Sequence, residues 1–110
     1  MSALHERRCR PLPADTPALS AAEIDSLRTR IDPAWELNAA GDAISRRFRF
    51  ADYHQAMGFA NAVAWIANSQ DHHPDLAIGW GRCQVSYSTH SVGGLSENDF
   101  ICAARIDRLA

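Results

Sequence analysis

The chain has 110 residues, 46% hydrophobic and 22% charged, with a formal net charge of −2. This composition is that of one compact globular domain, with no basic footprint for nucleic acid and no apolar run long enough to span a bilayer. Cys9, Cys83 and Cys102 are odd in number with no Cys-x-x-Cys, and no apolar N-terminal stretch marks secretion, so reduced thiols in a cytoplasmic protein are expected.

Residues 1–18 carry Pro11, Pro13 and Pro17 without periodicity, and predict a poorly ordered leader in which Arg7, Arg8 and Arg10 are solvated. The folded domain is expected over 19–110. Ser20-Ala21-Ala22-Glu23 is a capping box, with Leu19 and Ile24 placed as a hydrophobic staple. Ile24, Leu27 and Ile31 give a helical stripe that Pro33 should end. Trp35-Glu36-Leu37 predicts a short strand, and Asn38 to Asp42 its turn.

Ile44, Phe48 and Phe50 share one parity and Arg47 and Arg49 the other, which is the pattern of a half-buried strand with Arg46 as the exception. Asp52 is a candidate N-cap for a helix over Tyr53–Ala67 that is apolar almost all round, as for a helix lying across a sheet. Gly58 within it would allow close approach to a strand. Ala77 to Trp80 predicts a weak strand and Gly81-Arg82 a turn. Cys83, Val85, Tyr87 and Thr89 then alternate with Gln84, Ser86, Ser88 and His90, which places His90 on the polar face of a strand. Gly93-Gly94 breaks that strand. Ser96-Glu97-Asn98-Asp99 caps a last helix, with Leu95 and Phe100 as its staple and Phe100, Ala103, Ile106 and Leu109 as its stripe. The order α-β-β-α-β-β-α, with short turns between strands, predicts an α+β fold: a four-stranded antiparallel sheet with three helices packed on one face. The sheet's other face then needs a partner or a ligand.

Three of the five histidines fall in one window: Asp71-His72-His73-Pro74, then Ser88-Thr89-His90. Histidine, with an ordinary pKa of roughly 6.5, gives and takes protons near neutrality. His72 and His73 are consecutive, so their side chains leave an extended segment on different sides, and Pro74 stiffens the pair. Read from the residues alone, two exposed turn histidines are the default. A metal site from His72, His73 and His90 is less apt, because adjacent histidines chelate one ion poorly and no His-x-x-x-His or Cys ligand supports it. Ser88 and Thr89 have no triad partner, which excludes nucleophilic catalysis. Trp65 and Trp80 read as core or interface, and His5 and His54 as surface residues.

His72-His73-Pro74, Thr89-His90, Gly93-Gly94-Leu95 and Ser96-Glu97-Asn98-Asp99 resemble, in order and joint spacing, the pterin-4a-carbinolamine dehydratase family (4a-hydroxytetrahydrobiopterin dehydratases). Upstream, Trp35, Asp42-Ala43-Ile44, Phe48-Arg49-Phe50 and Gly58-Phe59 stand in the family's order, so the resemblance covers about residues 20–110. It implies a cofactor-free, metal-free hydro-lyase that converts 4a-hydroxytetrahydropterin to quinonoid dihydropterin, recycling the pterin of aromatic amino-acid hydroxylases. It also implies a homodimer or homotetramer and a functional link to such a hydroxylase.

Carried over by position, the catalytic residues are His72, His73 and His90, with Asp99 near the last of them and Trp35 at the site. Asp71, Pro74, Ser88, Thr89 and Asn68 complete the expected substrate-binding set. Some members carry a glutamate four residues before the first histidine, where this chain has Asn68. His72 is favoured as the base at N5, His90 as the acid at the C4a hydroxyl, and His73 chiefly as a binding group, with exchange of these roles as the alternative. Asp99 can orient an imidazole, cap its helix, or do both. The family also includes protein-interaction members, a transcription-factor dimerisation cofactor and enzyme-assembly factors, so an interaction module is the alternative.

Overall fold

Alternation of polar and apolar residues along two strands decides the architecture. The computed structural model describes residues 3–110. Its elements are α1 (Ala21–Arg28), β1 (Glu36–Leu37), β2 (Ile44–Arg49), α2 (Tyr53–Gln70), β3 (Asp75–Gly79), β4 (Arg82–Tyr87) and α3 (Glu97–Asp107), with single 3₁₀ turns at Leu4–Glu6 and His90–Val92. The sheet is antiparallel in the order β1-β2-β4-β3. Ile44 and Phe48 of β2 and Cys83, Val85 and Tyr87 of β4 point to one face and are buried beneath the helices. This is the α+β arrangement expected, with the three helices on that face.

The opposite face is polar rather than apolar. Ser45, Arg47 and Arg49 stand opposite Ser86, Gln84 and Arg82, and a cleft of about 460 Å³ there is lined by Glu36, Ser45, Arg47, Arg49 and Gln84. Water can cover this face, so burial does not require a partner there.

Arg46, the exception in the β2 alternation, points inward and is neutralised. Its guanidinium lies 4.4 Å from the Phe48 ring centroid and donates to Asp107 Oδ1 at 2.7 Å, with Asp32 Oδ2 at 3.7 Å. Asp107 also accepts from Trp35 Nε1 at 2.7 Å and from the Asp32 N–H at 2.8 Å. One carboxylate thus ties the end of α3 to β2 and to the segment entering β1.

Helix starts follow the expected caps. Ser20 Oγ accepts from the Glu23 N–H while Glu23 accepts from the Ser20 N–H, and Asp52 Oδ1 accepts from the Gln55 N–H. Helix ends depart from expectation. α1 stops at Arg28 rather than at Pro33, although Ile31 is still buried in the turn that follows. α2 runs on to Gln70, where Asp71 closes it in the left-handed region at φ 51° and the His72 N–H bonds back to Ala67 O. Aspartate tolerates that conformation better than most non-glycine residues. α3 ends at Asp107, so Leu109 lies beyond the helix and is exposed. The second hairpin turns at Trp80-Gly81, with Arg82 already in β4. Gly58 is exposed and a Cβ there would meet nothing within 4 Å, so it makes no close approach to a strand.

The leader also differs from the poorly ordered tail expected over 1–18. Its described part, from residue 3, includes a strap across α3. Leu4 is 2% exposed, and Arg7 pairs with Glu97 at 2.5 Å while its carbonyl accepts from the Arg105 guanidinium. The Cys9 N–H donates to Gln70 Oε1 at 2.8 Å, and Arg10 exchanges two hydrogen bonds with the Asn98 side chain. These partners are 61 to 98 residues away in the chain, which is why no local pattern announces them. With the sheet on one side and the strap on the other, α3 is buried over most of its length.

Two stability outcomes are expected, both read from urea midpoints. Gly58→Ala should stabilise by roughly 0.5–1 kcal/mol, since it gains helix propensity in open space. Asp107→Ala should cost about 2–4 kcal/mol by stranding Arg46 and the Trp35 indole N–H, whereas Asp25→Ala on exposed α1 should stay within about 0.5 kcal/mol.

Candidate active site

Asp99 organises the site. Its side chain is fully buried at the first turn of α3, where the helix N-terminus favours negative charge. Oδ2 accepts from the Ser96 N–H at 2.9 Å and from the Thr89 hydroxyl at 2.8 Å. Thr89 spends its one hydroxyl proton on Asp99, so the Ser96 hydroxyl must donate to Thr89 Oγ1, 2.7 Å away. Oδ1 is left for His72 Nε2, at 2.5 Å.

His72 is fixed on three sides. Asp99 holds Nε2, the ring stacks on Tyr87 with centroids 5.3 Å apart and planes at 17°, and the Tyr87 hydroxyl donates to the His72 carbonyl at 3.2 Å. No buried side-chain nitrogen or oxygen among the described residues lacks a partner, and Nδ1 makes no hydrogen bond within them, so Nδ1 is the atom that solvent reaches. Burial alone would lower this imidazole. The hydrogen bond and charge of Asp99, helped by the charges of Cys102 and Asp71, outweigh it and hold His72 above its ordinary value.

His73 points elsewhere, as consecutive residues of an extended segment must. It is exposed and its Nε2 lies 3.1 Å from Asn68 Oδ1, which places Asn68 one helical turn before Asp71 as its partner. Asp71 itself is exposed and contributes mainly its left-handed backbone and its charge near His72. Pro74 leads directly into β3.

His90 is not on the polar face of a strand. β4 ends at Tyr87 because its neighbours end there: Ile44 opposite Tyr87 starts β2, and Asp75 opposite Ser86 starts β3. Beyond that point Thr89 pairs with Gly94 instead, and His90 starts a 3₁₀ turn closed by Gly93 at φ 69°. His90 is exposed on a cleft of about 220 Å³ lined also by Asp42, Ser88, Thr89, Gly93 and Gly94.

Asp99 therefore partners His72 rather than His90, and reaches the His90 turn only through Thr89. Trp35 is not brought to this end of the molecule. It is buried, edge-on to Phe48, and bonded to Asp107, eight residues along α3 from Asp99. At 1.5 Å per residue that is about 12 Å. Its positional match to the expected set reflects the core. Tyr87 and Ser96 are the supporting residues that sequence reasoning did not assign to the site. Strand parity buries Tyr87, but its place under His72 depends on a hairpin register that the sequence leaves open.

The fold and these contacts define a small α+β protein with His72 and His73 just before β3 and His90 just past the end of β4. Residues 17–109 match the family model described as pterin 4 alpha carbinolamine dehydratase. The chain is 47% identical over 106 residues to a Nitrosomonas eutropha protein provisionally named pterin-4-alpha-carbinolamine dehydratase, covering 96% of this chain and 92% of that one. A Xanthomonas campestris protein of the same provisional name is 51% identical, covering 96% and 89%. A Brucella melitensis crystal structure described as a transcriptional coactivator/pterin dehydratase superposes with a TM-score of 0.79 at 31% identity, covering 84% of this chain and 98% of that one. A pterin dehydratase-like protein identified as a RuBisCO assembly factor in the alpha-carboxysome gives 0.60 at 26% identity, covering 70% and 89%. The chain belongs to the pterin-4a-carbinolamine dehydratase family.

The raised His72 value has a signed consequence. A group with a folded pKa above its unfolded value stabilises fully below the unfolded value, roughly 6.5, and loses that contribution as pH rises through the folded one. The midpoint gap between wild type and His72→Gln should therefore be larger at about pH 5.5 than at about pH 9. An equal gap at both would show that the imidazole does not titrate against Asp99.

Proposed function

We propose that the chain dehydrates 4a-hydroxytetrahydropterin to quinonoid dihydropterin by imidazole acid–base catalysis. The observation that carries this reading is the locked His72–Asp99 pair with Nδ1 left open to solvent. In the reaction the N5–H proton leaves to a base, the N5=C4a double bond forms, and the C4a–O bond breaks with its oxygen protonated, so that water departs.

His72 is assigned the base role. Asp99 holds Nε2–H in place, which fixes the tautomer with its lone pair on Nδ1 and stabilises the imidazolium that forms when that atom takes the N5 proton. His90, on the rim of the neighbouring cleft, is assigned as the acid at the leaving hydroxyl. His73, held by Asn68 where some relatives carry a glutamate, is assigned to binding the pterin. Ser88, Asp71 and Pro74 shape the rim, and Thr89 with Asp99 positions His72. The pterin recycled in this way would come from an aromatic amino-acid hydroxylase.

Self-association belongs to the same proposal. Leu76 and Ile78 are left partly exposed on β3, an edge strand, and Trp65 on α2 is 71% exposed. α3 is not offered for such contacts, because the strap covers it. A second reading, a protein-interaction role for the helical face, draws on Trp65 and on a cleft of about 420 Å³ that it lines with Ile66, Arg105 and Leu109. The coactivator and assembly-factor descriptions of the two structural relatives fit that reading.

Steady-state kinetics with freshly made 4a-hydroxytetrahydropterin separate these roles. His72→Ala and His90→Ala should each lower kcat by at least ~10²-fold, the low end for a proton-transfer group, while His73→Ala chiefly raises KM. Losses in the His72/His90 double variant should not multiply, because both groups serve one transition state. If all three single variants, folded by circular dichroism, kept full activity, the catalytic reading would fall and the interaction reading would replace it.

A further inference from the structure

The strap carries a thiol to a thiol. Cys9 Sγ lies 3.5 Å from Cys102 Sγ across 93 residues of sequence. This approach is held from several directions. The Cys9 N–H is bonded to the buried Gln70 side chain, Cys9 Sγ lies 3.5 Å from the Asn98 carbonyl, and Arg10 is clamped by the Asn98 side chain. Asn98 and Cys102 are four residues apart on one face of α3, so the strap is docked one helical turn from the sulfur it meets. Both thiols are free, and Cys9 is only partly buried.

We propose that Cys9 and Cys102 form a redox modification site, at which a small hydroperoxide oxidises the two thiols to a disulfide that fastens the N-terminal strap to α3. A disulfide needs its sulfurs at about 2.05 Å, so the pair must close by ~1.5 Å. The hydrogen bond between the thiols sets the roles: it pulls Cys102 below its ordinary value and pushes Cys9 up. The thiolate is the nucleophile, so Cys102, the lowered thiol of the pair, is assigned the first attack.

Cys102 Sγ attacks one oxygen of hydrogen peroxide; the S–O bond forms, the O–O bond breaks, and hydroxide leaves and is protonated to water. The product is a sulfenic acid. Cys9 Sγ then attacks that sulfur; the S–S bond forms, the S–O bond breaks, and the departing hydroxide takes the Cys9 thiol proton as a second water. Two thiols have given two electrons and peroxide has become two waters. Cys83 is no competitor: no second sulfur lies beside it among the described residues, whereas Cys102, equally buried, has the partly exposed Cys9 against it.

The site lies directly behind the imidazole pair. Cys102 is three residues after Asp99 on α3, and its sulfur is 4.0 Å from the His72 carbonyl oxygen.

The test is peroxide titration of the full chain, then alkylation in denaturant, peptide mapping without reductant and thermal melting. Wild type and Cys83→Ser should yield a linked Cys9–Cys102 peptide. Their melting temperature should rise by at least about 5 °C, because the bridge closes nearly the whole chain into one loop. Dithiothreitol should reverse both changes. Cys9→Ser, a change at a partly exposed position, should give neither. Oxygen adducts without a linked peptide, a bridge that includes Cys83, or a linked peptide with no rise in melting temperature would each overturn the proposal.

Discussion

A buried carboxylate is costly unless every lone pair is used, and the site end of this molecule is built around meeting that condition for Asp99. Its partners come from different parts of the chain: the Ser96 N–H from its own helix start, the Thr89 hydroxyl from the end of β4, and the His72 imidazole from the exit of α2. Each donor is needed by Asp99, and each is held where it is by Asp99. The hydrogen bonds that satisfy the carboxylate are therefore the same ones that set the direction of His72. Fold stability and site geometry share one interaction there, which ties the position of the imidazole to the integrity of the α3 N-terminus.

The other end of α3 repeats the device with opposite electrostatics. Asp107 sits at the helix C-terminus, where the macrodipole disfavours an anion, and Arg46 and the Trp35 indole N–H supply the compensation. α3 is thus anchored at both ends by carboxylates that reach outside the helix, one to the site and one to the first hairpin. Its packed length between them, from Phe100 to Ile106, has little freedom to slide. This rigidity keeps Asp99 in register with His72, which reaches it from the exit of α2.

Much of this was legible in the sequence because it is local. The Ser20 box, the Asp52 cap and the parity of β2 and β4 are all written within a few residues, and each is formed. The family resemblance gave the three histidines and Asp99, and the structure places His72 and Asp99 in contact. What was not legible depends on long-range pairing. The alternation through Ser88, Thr89 and His90 reads as strand, but a strand lasts only as long as its neighbours, and both run out at Tyr87. The weak strand expected over Ala77 to Trp80 begins two residues earlier, at Asp75, because its partner Ser86 on β4 is there to pair with it. Trp35 matched a motif, yet its surroundings are set by Asp107, far along the chain. The prolines of the leader hid a strap whose partners all lie far downstream.

That strap has a consequence for how the chain is made. Arg10 pairs with Asn98, 88 residues further on, and at a synthesis rate of about 5–20 residues per second the wait between them is roughly 4–18 s. Throughout that interval Leu4 has no α3 to bury against and Cys9 has no sulfur to meet. The strap leaves the ribosome well before the helix it docks on, so the nascent chain carries an unpaired thiol and an uncovered leucine until α3 is complete.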